Sequence, residues 1–593
     1  MKNLIKILWD NLTHHNKRKL YVVLVATVIS ALSELLSIGM IIPFITIIAA
    51  PERLMDIFIV SELVDYYEIK SISDLVLPIL IVFVLVNLLS MMVRILSIKL
   101  SASFAFLLGN ELSVKAYDNV MHRGYIESIN INSSEDVSRL VPKMNSMIQS
   151  LIFPLIMLIA AAIMFFIISV VFLLVNFQLT LIIMGGLIVI YLSITKYFKK
   201  RLKENSNQIS RLQNRQVRIA QESLGGIKDV ILSNSYEYFL SLYRKNDKRL
   251  RMVQASNIII AQSPRYYVET FSIIFISVLS TYLIFLSESI SNDMALPIFI
   301  TVAVGLQRML PIAQQAYRSW ANIEGNKQSL MDVAGLLRVP DEDNNEGLEV
   351  GNNYTSIDFK NNIILDGVYF RHKGNEHTLK AIDLTIAKGE KIGFIGGTGS
   401  GKSTLVDIIM GMLRPDRGAV YIDGKLLTDE NSPAWHSHIA HVPQVVYILD
   451  DNFYHNIAFG TEGEKIDRKR VEWAANLACI DEFIGQKNNG YFEFLGERGE
   501  NLSGGQKQRI GIARCLYKDS SLIVLDEATS ALDSETQQRV MRNIFELSDE
   551  HTILVIAHRL NTLQGCDKIV MLENGNIKYI GTYDEIINQK NFD

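Results

Sequence analysis

Apolar residues are unevenly spread along this chain. Between Leu20 and Trp320 they gather into six runs, each long enough to cross a bilayer, for which roughly 20 apolar residues suffice. The runs lie near residues 20–49, 75–96, 151–175, 179–198, 267–286 and 295–316. Two long intervening stretches, about 97–148 and 199–264, keep a helical period, so the membrane helices are expected to continue as rods beyond the bilayer. Residues 51–74 put Leu54, Ile57, Phe58, Val64 and Tyr67 near one helical face, which suits a short amphipathic helix on the outer membrane surface or a plain loop. Past residue 359 the pattern changes to short β-prone runs alternating with helical ones, the mark of an α/β domain. Asn574-Gly575 between two such runs predicts a hairpin. Residues 339–359, rich in Asp, Glu, Asn and Gly, form the expected linker between residues 1–338 and 360–593.

Basic residues orient the helices. Residues 196–251 hold 14 Lys and Arg, and the N-terminus carries Lys2, Lys6, Lys17, Arg18 and Lys19, whereas the segments after runs one, three and five hold only Arg53 and Lys70. Both termini and both long loops are therefore expected on the cytoplasmic side. The first run is too long for a cleavable signal peptide and no small-residue site follows it. The length of 593 residues implies two or three domains, and the 49% hydrophobic content agrees with a membrane protein. A net charge of −4 gives no case for nucleic-acid binding. Cys479, Cys515 and Cys566 match no metal spacing, and their odd count fits a reduced compartment without structural disulfides.

The polar C-terminal part carries the chemistry. A predicted strand at 391–395 runs into Gly396, Gly397, Thr398, Gly399, Ser400, Gly401, Lys402 and Ser403, with a helix opening at Thr404. Glycines let the backbone wrap phosphates, while loop N–H groups and the helix N-terminus face the anion. Lys402 is expected to reach the β- and γ-phosphates of ATP, and Ser403 to ligate Mg²⁺. Four apolar residues then lead into Asp526-Glu527. Asp526 at the end of a buried strand is a candidate Mg²⁺ partner, and Glu527 is placed to polarise the attacking water. Alternatively, such a carboxylate caps a helix.

Between these lies Leu502-Ser503-Gly504-Gly505-Gln506. With that order of motifs, about 230 residues resemble the nucleotide-binding domain of ATP-binding-cassette (ABC) proteins. The resemblance implies further roles. Gln444 matches the glutamine that senses Mg²⁺ and the membrane helices, Asp533 the loop that crosses a dimer interface, and His558 the histidine on the γ-phosphate. Gly496 to Gly499 matches the exporter-specific loop. His372 stands where the family usually has the tyrosine that stacks on adenine. Ser503, Gly504, Gly505 and Gln506 would cap ATP bound to a partner chain, so one intact copy implies a homodimer with two active sites. The stretch Gln221 to Val230 resembles the hairpin tip that exporters press into their ATPase domains, against an ordinary solvated helix.

The whole chain thus resembles an ABC exporter half-transporter: a six-helix transmembrane domain ahead of an α/β P-loop nucleotide-binding domain, in a bacterial inner membrane. No peptidase-like domain precedes the first helix, which weighs against a cargo-trimming peptide exporter. Ionisable residues within spans are functional candidates, and here they are Glu34, Arg94, Arg265, Glu269 and Arg308. The segments around four of them resemble bacterial flippases for lipid-linked oligosaccharides. Guanidinium groups bind phosphate oxygens in pairs, so Arg94, Arg265 and Arg308 are expected to hold a polyprenyl pyrophosphate. The alternatives are pairing with Glu34 or Glu269, or snorkelling to the interface. Rival functions are an exporter of lipid A, drugs or peptides, and, from another class, an ATP-gated channel or regulator.

Overall fold

The computed structural model describes residues 2–40, 44, 76–175, 177–286, 292–337, 357–372, 378–547, 550–557 and 559–590. The expected amphipathic segment at 51–74, the linker apart from residues 357–359, and His558 lie outside the described residues. The chain divides into two compact units: Met1–Arg123 with Glu127–Asn345, and Gly124–Ile126 with Glu346–Asp593.

The first unit is helical. After α1 (Lys2–Asp10) come α2 (His14–Gly39), α3 (Val76–Met121), α4 (Phe153–Val175), α5 (Phe177–Gly225), α6 (Tyr236–Leu286) and α7 (Asn292–Leu336). The helices α3, α5, α6 and α7 run 45 to 51 residues. At 1.5 Å per residue that is about 70 Å, over twice a hydrocarbon core, so the expected rods form without a break. A short helix, Ile227–Leu232, turns the chain between α5 and α6 and leaves Leu224, Ile231 and Leu232 exposed. Among the described residues, three helical stretches are long and apolar enough to span a membrane: His14–Gly39, Val76–Met121 and Ser133–Leu174. Leu77, Ile81, Leu85, Leu88, Met92 and Ile95 repeat every three or four residues on α3 and stay exposed, an apolar stripe that suits lipid contact.

The inner faces differ. α2 packs on α3, and α7 on α4, α5 and α6. One seam is polar: Lys143 is fully buried, paired with Asp332 of α7 and hydrogen-bonded at 3.1 Å to Ser210 of α5. Burial opposes the Asp332 charge, but hydrogen bonds from Lys143, Ser210 and Gln328 outweigh it and hold its carboxyl below the ordinary range. Lys143 ends a π-helical turn, Arg139–Lys143, and a second such turn, Ile148–Ile152, leads into α4.

The second unit holds two sheets. Four antiparallel strands, β1 (Asn362–Phe370), β2 (Leu379–Ala387), β4 (Arg417–Ile422) and β5 (Lys425–Leu426), lie in the order β2-β1-β4-β5. Six strands lie in the order β10-β9-β3-β8-β7-β6: β3 (Lys391–Gly396), β6 (Ile439–Val442), β7 (Leu522–Asp526), β8 (Thr552–Ile556), β9 (Lys568–Glu573) and β10 (Asn576–Gly581). All pairs in it are parallel except β9–β10, whose hairpin turns through Asn574 (φ +51°) and Gly575 (φ +82°), as the sequence predicts. Alternation splits β7 between two cores. Leu522 and Val524 join the cluster around α8 (Lys402–Ile409), whereas Ile523 and Leu525 join the one around α9 (Gly504–Lys518). A strand buried on both faces must be apolar throughout. Its first polar residue, Asp526, therefore falls where the sheet ends.

Candidate nucleotide site

Parallel strands deliver the site residues to one sheet edge. β3 ends at the phosphate loop, β7 at Asp526-Glu527, and β6 two residues before Gln444. This is where open α/β sheets bind ligands, beyond the carboxyl ends of their strands.

Gly399 and Gly401 take φ of +80° and +101°. A Cβ on Gly401 would meet the Thr378 carbonyl at 3.0 Å and Leu379 at 2.7 Å, so backbone conformation and space both require glycine there. α8 starts at Lys402, whose ammonium donates back to the carbonyls of Gly396 (2.9 Å) and Gly397 (3.0 Å). Burial pulls its pKa down, against the opposing charges of Glu527 and Asp526. The Ser400 hydroxyl is buried with no protein partner. A cationic side chain resting on loop carbonyls, an orphaned hydroxyl and an N-terminal helix end fit a polyphosphate.

Gln444 Nε2 donates to Glu527 Oε2 at 2.8 Å, joining two of the three residues that the sequence offers for catalysis, His558 being the third. Glu527 has φ +49°, and its N–H donates to the Ile556 carbonyl at 3.1 Å. Among the described residues no cluster of three His, Cys, Asp or Glu side chains could cage a metal. Mg²⁺ on a nucleotide needs no such cage, because it keeps waters and phosphate oxygens and takes only one or two protein ligands. Ser403, Asp526 and Gln444 are of that kind. Asp407 on α8 escapes the sequence reading: burial, with Asp526 adding, raises its pKa to about 6.

His372 follows β1. Its ring stands edge-on to Phe370, with centroids 4.9 Å apart, and Nε2 lies 3.4 Å from the Thr404 hydroxyl. Ser503 caps α9 through a reciprocal box. Its hydroxyl accepts from the Gln506 N–H (3.2 Å), and the Gln506 side chain accepts from the Ser503 N–H (2.8 Å). The box explains why Ser and Gln stand three apart around two glycines, and it leaves Ser503 and Gly504 exposed at the helix end. Asp533 caps α10 (Ser534–Phe545), and hydrogen bonds from Thr536 hold its carboxyl below the usual range.

The three membrane arginines do not gather into one cluster. Arg94 and Arg308 share buried Glu34, at 3.5 and 3.2 Å, while Arg265 pairs with Glu269 one turn along α6 at 2.7 Å. The pairing that the sequence leaves open is thus what the structure shows. Among the described residues, two guanidinium groups thus share the one carboxylate of Glu34.

Residues 21–307 match the ABC transporter transmembrane region family, and residues 379–530 the ABC transporter family. An ATP-dependent lipid A-core flippase of Chromohalobacter salexigens is 30% identical over 422 residues, which cover 70% of each chain. A protein of the same name from Salmonella typhimurium is 31% identical over 395 residues, 66% of each. The solved structure of a bacterial Atm1-family ABC exporter with ATP bound superposes with a TM-score of 0.78 over 97% of this chain and 96% of that one, at 20% identity. The chain therefore belongs to the ABC transporters, as an exporter half-transporter in which a helical transmembrane domain is joined to an α/β domain that hydrolyses ATP to drive transport.

Proposed function

We propose that the protein is a homodimeric flippase of the bacterial inner membrane, with both termini cytoplasmic, that moves phosphorylated glycolipids of the lipid A-core kind. The observation carrying this reading is the similarity to lipid A-core flippases over some 70% of both chains. Support comes from Arg94 and Arg308 on Glu34. Each guanidinium has five donors and commits one nitrogen to that carboxylate. A phosphate group is the anion such paired cations recognise.

In this reading Lys402 leaves its loop carbonyls for the β- and γ-phosphates, and Ser403, Asp526 and Gln444 hold Mg²⁺, which neutralises phosphate charge when bound. Glu527 orients the attacking water, with His558 on the γ-phosphate and His372 beside the base. Ser503, Gly504, Gly505 and Gln506 close the site on ATP held by the other chain, with Asp533 at the crossing. Residues 1–338, 339–359 and 360–593 form the membrane domain, linker and ATPase domain.

A polyprenyl-pyrophosphate oligosaccharide is the second reading, favoured by the same arginines around a compact anion. Proteoliposomes settle the choice. Lipid A-core should be flipped, and should stimulate ATPase, whereas flipping of the polyprenyl lipid alone reverses the order of the two readings. Replacing Arg94 or Arg308 by Ala is expected to lower cargo moved per ATP about tenfold, the worth of one charged hydrogen bond. An unchanged ratio removes the arginines from the cargo path.

A further inference from the structure

Gln508 sits one turn into α9, beyond the capping box, and is 5% exposed. A buried amide must find partners for its oxygen and both N–H groups. Here all three go to one loop. Oε1 accepts from the Ala531 N–H at 2.9 Å, and Nε2 donates to the Ser530 hydroxyl at 3.0 Å and to the Glu527 carbonyl at 3.4 Å. The same loop presses on the signature glycines. A Cβ on Gly505 would come within 2.9 Å of the Ala531 carbonyl, and one on Gly504 within 3.4 Å of the Ala531 methyl. The start of α9 and residues 527–531 are thus fastened side by side, with Glu527 at one end of the fastened loop.

We propose that Gln508 is a positioning residue for ATP hydrolysis: it ties the signature turn, which serves the other chain's nucleotide, to the backbone of Glu527, which serves this chain's own. Filling one site then orients the base in the second. The inference rests on the shared-site arrangement proposed above. Gln508 touches neither nucleotide in that arrangement, so its effect falls on turnover and cooperativity, not on ATP affinity.

The test uses the full chain in lipid nanodiscs, with Gln508→Leu, which fills the same space without hydrogen bonds, and the milder Ser530→Ala, which removes one. For Gln508→Leu, kcat is expected to fall about tenfold, the scale of losing buried hydrogen bonds, with ATP KM within about twofold. The Hill coefficient of the wild type, expected near two, the number of sites, should drop to about one. Ser530→Ala should shift both in the same direction by less, which keeps the test alive if the leucine variant fails to fold. Wild-type kcat and Hill coefficient in both variants overturn the proposal. So does a fall in kcat that only tracks a loss of thermal stability and nucleotide binding. A wild-type Hill coefficient of one overturns the cross-talk between sites, an ATPase-competent monomer overturns the shared site on which it rests, and the kcat of Gln508→Leu still decides whether Gln508 positions Glu527 within its own site.

Discussion

Glu527 is the residue where backbone and chemistry meet. Its left-handed φ of +49° costs an L-residue with a Cβ about 1–2 kcal/mol, and such outliers gather at functional sites. Glu527→Gln keeps the shape and removes the base. ATP binding should persist while turnover falls about 100-fold or more, and normal hydrolysis in an ATPase assay would displace Glu527 from that role. Thiol chemistry supplies a second prediction at this scale. Burial pushes the Cys515 and Cys566 thiols up to about 12 and also raises Cys479. At pH 8 a thiol with a pKa of about 12 is roughly one part in 10⁴ thiolate. Maleimide should therefore leave Cys515 and Cys566 unlabelled in the folded chain and modify them on denaturation; rapid native labelling would contradict their burial.

At the scale of elements, the seam between the helix bearing Lys143, α5 and α7 is the sharpest case. Removing Lys143 strands the partly buried Asp332 carboxylate, at up to about 3–5 kcal/mol, the cost for a fully buried pair. Lys143→Met should lower thermal stability by that order, and the double variant Lys143→Met/Asp332→Leu should recover most of it; equal melting of wild type and single variant would mean that the pair is not buried in solution. None of this seam is legible in the sequence, since its partners lie 189 and 67 residues away from Lys143 and a lone lysine in a helical stretch reads as solvated. The phosphate loop, Asp526-Glu527 and the signature are legible for the opposite reason. Their groups are neighbours in the chain, and strand periodicity alone places them at a sheet end. Arg94 and Arg308 stand between these cases. The sequence marks them as costly within a membrane, but only the packing of α2 against α3 and α7 selects Glu34 as their shared partner. Gln508 carries no role in the signature pattern itself, and the signal the sequence offers for it is a polar side chain next to the apolar Ile510, Ile512 and Ala513.

For the whole molecule, assembly and cargo are the quantities to measure. Light scattering of the purified chain should give twice its 67.1 kDa mass once lipid is subtracted, and a monomer with full ATPase activity would remove the shared site. The long helices carry a further consequence. A stiff rod of about 70 Å is a lever: tilting it by about 5° displaces its far end by about 6 Å. A small rotation at one end is therefore enough to open or shut a path for a headgroup at the other. Helices bend where their regular hydrogen bonding is interrupted, and in the stretch leading into α4 those places are the wide π-turns at Arg139–Lys143 and Ile148–Ile152. Lys143, the last residue of the first of these turns, is clamped to α5 and α7 and so splints the stretch that leads into α4.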